Sequence, residues 1–69
     1  MKFAPGTTVI VTRVPENAKQ FGVQLGASAV IQPIENEHIR LNLEAIGITV
    51  IKIGNFQFYW REDDLGGMQ

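Results

Sequence analysis

Apolar positions run along this 69-residue chain in short blocks. Pro5-Gly6 forms a first turn, and Thr7-Thr8-Val9-Ile10-Val11-Thr12-Arg13-Val14 behind it is almost entirely β-branched, a composition that favours an extended, half-buried strand ended by Pro15. From Pro15 to Gly26 the period changes. Ala18, Phe21 and Leu25 recur at helical spacing, Pro15 suits a first turn, and Gly26 stands where a left-handed residue would close a helix. Gly22 interrupts that pattern, so the expectation is one or two helical turns inside a long loop, anchored to the core by Phe21. Ala27-Ser28-Ala29-Val30-Ile31-Gln32 reads as a second strand of small residues, ending at Pro33.

After the polar turn Glu35-Asn36-Glu37, the segment His38-Ile39-Arg40-Leu41-Asn42-Leu43-Glu44 alternates with period two. That alternation predicts a strand with Ile39, Leu41 and Leu43 in the core and His38, Arg40, Asn42 and Glu44 in water. Ile46-Gly47-Ile48-Thr49-Val50-Ile51-Lys52-Ile53 is apolar on both faces, so it is either central or meets a partner. Gly54-Asn55 places glycine at the first central position of a two-residue hairpin loop, as a type II′ turn requires. The returning strand, Phe56-Gln57-Phe58-Tyr59-Trp60-Arg61, sets Phe56, Phe58 and Trp60 on one face and Gln57, Tyr59 and Arg61 on the other. Asp63 or Asp64 can cap a terminal helical turn closed by Gly66-Gly67, with Leu65 tucked beneath.

Five strands in so short a chain predict a mainly β fold: a small, closed or nearly closed barrel of one domain over residues 1–69, with one short helical turn in the loop after the first strand. Pro5-Gly6-Thr7-Thr8-Val9, Gly26-Ala27-Ser28-Ala29-Val30-Ile31 and Tyr59-Trp60-Arg61-Glu62-Asp63-Asp64-Leu65 resemble the entry, middle turn and exit of SH3-like barrels. A polyproline-binding role is not expected, because the tyrosine-rich first-loop signature is missing between Val14 and Gly26.

Two further resemblances carry functional implications. Gln57-Phe58-Tyr59 after Gly54-Asn55-Phe56 is similar to the Gln-Ile-Tyr segment of plasmid-borne type II dihydrofolate reductases, tetrameric SH3-like barrels. This resemblance implies a pore lined by Gln57, Phe58 and Tyr59 that binds NADPH and dihydrofolate. The chain departs from that family in lacking the Trp-Gln-Gly-Gln segment and in offering Arg13 where a first-strand lysine stands. The run from Ile53 to Asp64, preceded by a helical segment ending in Leu25-Gly26, looks like the small cytosolic accessory barrel of bacterial ferrous-iron transport, which implies a transporter as partner. Here Ala27-Ser28-Ala29 replaces that family's glycine-rich middle turn.

Charge and composition narrow the chemistry. Six Lys/Arg against seven Asp/Glu leave a net charge of −1, unlike a protein that works mainly by neutralising phosphate. The halves differ mildly: residues 1–34 carry three basic groups against one acidic, and residues 35–69 carry three against six. There is no cysteine and only one histidine, His38, so disulfides and thiolate sites are excluded and a zinc site lacks its usual ligands. Ser28, His38 and the carboxylates hold the letters of a nucleophilic triad without any pattern that assembles one. The acidic groups Glu35/Glu37 and Glu62-Asp63-Asp64 match no calcium-loop spacing and read as solvated charge. No apolar run is long enough for a signal peptide or a membrane span, so the expectation is a cytoplasmic chain without membrane insertion.

The expected function is therefore a non-enzymatic protein-interaction or regulatory module with no cofactor and no metal, binding a protein partner or itself as a homodimer or larger assembly. Its expected contact residues are Tyr59, Arg61, Gln57 and Arg40, with Ile51 and Ile53 supplying an apolar outer face. The alternative is a barrel that binds single-stranded nucleic acid or RNA through Tyr59, Arg61 and Arg40. The second alternative is an oxidoreductase like the type II dihydrofolate reductases.

Overall fold

The computed structural model describes residues 2–67. Five strands, β1 (Thr8–Val11), β2 (Ser28–Ile31), β3 (Ile48–Ile53), β4 (Phe56–Arg61) and β5 (Leu65–Gly67), form one antiparallel sheet in the order β4-β3-β2-β1-β5. Helix α1 (Glu16–Lys19) lies in the loop after β1, helix α2 (Glu37–Ala45) joins β2 to β3, and a 3₁₀ turn over Glu62–Asp64 joins β4 to β5. No helix of the described residues is long and apolar enough to cross a membrane.

The β-branched and aromatic runs form strands where the residue pattern expects them, at β1, β2, β3 and β4. The segment from His38 to Glu44 does not. It lies in α2, where Asn36 caps the first turn by accepting a hydrogen bond on Oδ1 from the Ile39 backbone N–H at 3.0 Å. Arg40 reaches Glu37 at 3.9 Å and Glu44 at 3.4 Å along one face. Gly47, at φ +72°, ends the helix as its N–H donates to the Glu44 carbonyl at 3.1 Å. Two caps and an (i, i+4) ion pair outweigh an alternation only three apolar residues long. The expected core placement falls with the strand: Ile39 is 47% exposed, Leu41 is 52% exposed, Leu43 is half-buried, and α2 holds no buried residue.

The fifth strand comes instead from Leu65–Gly67, which pairs with β1 through Val9↔Gly67 and Val11↔Leu65. Gly66 and Gly67 thus belong to a strand and do not close the 3₁₀ turn. Helix α1 stops at Lys19, so Gly26 does not close it either; Pro15 starts it by accepting from the Ala18 and Lys19 N–H groups at 3.0 and 3.2 Å.

A flat five-stranded sheet would hold β4 and β5 about 19 Å apart at roughly 4.8 Å per strand. Only Glu62–Asp64 connect Arg61 to Leu65, a step that covers about 8 Å in 3₁₀ geometry, so the sheet must curl strongly. It does not close, because no pairing joins β4 to β5 among the described residues: of the expected closed or nearly closed barrel, the mainly β, five-stranded antiparallel sheet is present, curled and open. The concave side holds the core: Val9, Val11, Ala29, Ile31, Thr49, Ile51, Trp60 and Leu65 are buried, with Ala18 of α1 and Val23 of the following loop laid across them. Leu65 tucks beneath the sheet as expected. Thr49 Oγ1 and Trp60 Nε1, on residues directly paired across β3 and β4, are buried without a hydrogen-bond partner among the described residues.

Candidate functional site

Strand β4 is an edge of the sheet, and the hairpin fixes which of its backbone groups are free. Gly54 takes φ +58° and Asn55 does not have positive φ, the type II′ combination. In a two-residue hairpin the flanking pair, Ile53↔Phe56, exchanges both hydrogen bonds, so Ile51↔Phe58 and Thr49↔Trp60 do so as well. Two bonds at the borders agree with this parity: the Glu62 N–H donates to the Gly47 carbonyl at 2.9 Å, and the Gln32 N–H to the Val50 carbonyl at 2.8 Å. The N–H and C=O groups of Gln57 and Tyr59 and the N–H of Arg61 therefore point away from β3, outside the ladder, while the Arg61 C=O opens the 3₁₀ turn over Glu62–Asp64.

The side chains of those three residues are exposed, Tyr59 at 70%, as the strand alternation predicts. Gln57 and Tyr59 border a groove of about 540 Å³ on the outer face, closed on the other side by Pro33, Ile34, Ile39 and Val50. Arg61 borders a second depression, about 490 Å³, with Arg13, Val14, Pro15, Glu16, Lys19 and Asp64. Lys19 is paired there with Glu16 at 3.1 Å, whereas Arg13 and Arg61 make no ion pair among the described residues.

The inner-face residues of β4 form an aromatic row. Trp60 is buried, Phe58 meets it edge-on at 6.0 Å, and Phe21 meets Phe58 edge-on at 5.8 Å. Phe56 completes the row at the hairpin tip but is 58% exposed, since the concave side is open there. Phe21, expected as a core anchor, is 61% exposed and covers the row from outside.

Three expected contact residues are not where the residue pattern puts them. Ile51 is 0% exposed, paired with Phe58 over the core, so it offers no surface to a partner. Ile53 is half-buried against the same core. Arg40 sits on α2, with Glu37 and Glu44 beside its guanidinium, and lines neither depression. The register explains the first two: Ile51 and Ile53 share the face of Thr49, which faces inward, while Ile48, Val50 and Lys52 face outward. In their place the fold supplies Ile39, Ile34 and Arg13, which no local pattern connects to Tyr59. His38 is exposed on α2, and no cluster of three His, Asp or Glu suited to a metal ion occurs among the described residues.

No family model matches the chain, and neither a curated protein nor a solved structure does.

Proposed function

We propose that this chain is a non-enzymatic protein-interaction module whose curled five-stranded sheet is an SH3-like open barrel and whose contact strand is β4. The observation that carries this reading is the unguarded edge over Gln57, Tyr59 and Arg61. Monomeric sheets usually protect an edge with proline, inward-pointing charge, a bulge or extreme shortness. Strand β4 has six residues, no proline and a single charge at its end, while the opposite edge, β5, has only three residues. An open edge flanked by an apolar groove and a cationic depression suits main-chain pairing with an added segment. Tyr59 and Arg61, residue types enriched in interface hot spots, stand beside it.

The expected partnership of Tyr59 and Arg61 with Arg40 in nucleic-acid binding draws little support from the geometry, since two carboxylates neighbour Arg40. A photo-crosslinking residue installed at Tyr59 in the native host tests the proposal. The expected result is a protein adduct that survives nuclease and is not formed from the same residue at Ser28, on the centre of the sheet. An adduct that nuclease removes, or whose yield falls steeply with salt, would move the function to nucleic acid. The double substitution Tyr59→Ala with Arg61→Ala should abolish the adduct's partner binding and cost less than about 0.5 kcal/mol of stability per site, because both side chains are exposed.

A further inference from the structure

Building on that interaction reading, we infer that β4 is completed by an extended peptide running antiparallel to it, with an acidic side chain opposite Arg61 and apolar side chains two and four residues later, opposite Tyr59 and Gln57. The ladder sets the register. Of β4, Gln57 and Tyr59 direct both backbone groups outward and Arg61 its N–H, and residues opposite them in an antiparallel strand share their face.

Charge sets the first side chain. Lys19 has Glu16 within 3.1 Å and Arg40 has Glu44 within 3.4 Å, whereas Arg13 and Arg61 line one depression with no carboxylate within ion-pair distance among the described residues. Asp64 lines the same depression but pairs with neither. A carboxylate carried by the added strand would stand beside both guanidiniums, where charge-assisted hydrogen bonds form. Apolar surface sets the next two. Tyr59 and Gln57 border the groove whose opposite wall is Ile39, Ile34 and the half-buried Val50, so side chains on the outer face at those positions extend the apolar floor across the edge.

A peptide fits this edge better than a second copy of the chain. Paired with itself about a two-fold axis at Tyr59, β4 would set Arg61 opposite Gln57 of the second copy, and that strand carries no carboxylate for the guanidinium. An acidic peptide supplies one.

A phage-displayed library of random heptapeptides, selected on the full chain, tests the register directly. The expected outcome is enrichment of an acidic residue followed at the second and fourth positions by apolar ones. Binding of the enriched peptide should fall by about tenfold or more for Arg13→Gln with Arg61→Gln, since charge-assisted hydrogen bonds contribute on the order of 1.5 kcal/mol or more. In amide exchange the bound peptide should protect the N–H groups of Gln57, Tyr59 and Arg61. Enriched peptides without the acidic residue, no enrichment at all, or binding that leaves those three amides unprotected would overturn the inference. So would a dimer by light scattering in which they are protected without peptide. If the crosslink at Tyr59 still captures a protein in those cases, the interaction reading stands and only the occupant is wrong; if both fail, the reading itself falls.

Discussion

Replacing Ile51 with alanine inverts an expectation based on residue pattern alone, in which Ile51 meets a partner and Leu41 sits in the core. Ile51 is 0% exposed at the centre of β3, hydrogen-bonded across to Phe58 on one side and paired with Ile31 on the other. Truncation to alanine removes three carbons, which costs about 2.4 kcal/mol in transfer free energy at roughly 0.8 kcal/mol per methylene. A residual cavity raises the total toward about 4 kcal/mol. A chain of this length is stable by roughly 3 to 10 kcal/mol, so the variant should lie near its unfolding threshold. The same truncation at Leu41, 52% exposed, removes contacts that are half solvated already and leaves no enclosed cavity, so it should cost no more than about 1 kcal/mol. Urea unfolding followed by fluorescence of the single, buried Trp60 measures both. With a slope near 1 kcal/mol/M the midpoints should differ by about 3 M. Equal costs at the two positions would refute the placement of α2 outside the core, and a folded Ile51→Glu variant would show that the faces of β3 are reversed.

Asn36→Ala should cost about 1 kcal/mol and speed amide exchange in the first turn of α2, because it removes the acceptor of the Ile39 N–H. Gly47→Ala should cost about 1 to 2 kcal/mol by thermal unfolding even though a Cβ there meets open space, since the loss comes from φ +72° alone. Thr49→Val should leave stability unchanged or raise it by about 1 kcal/mol, because it deletes a buried hydroxyl that has no partner among the described residues and keeps the side-chain shape. A loss of more than 1 kcal/mol at Thr49 would instead reveal a hydrogen bond to ordered water.

Local sequence decided those features whose causes are local. The β-branched run of β1, the Gly54-Asn55 turn and the alternation of β4 need only backbone sterics and a period of two, and Tyr59 and Arg61 are displayed where that period puts them. The signals for α2 were also present as Asn36 before the helix and Gly47 after it, but Ile39, Leu41 and Leu43 fit a strand as well as one flank of a helix. Nine residues are too few for periodicity to separate the two. Only the tertiary structure decided which face of β3 turns inward. Both of its faces are apolar, so the choice rests on pairing with β2 and β4 and on the curl imposed by the short link to β5. That curl carries the chain from one sheet edge to the other, lays α1 beside the end of β4, and so sets Arg13 beside Arg61, 48 positions apart in the sequence.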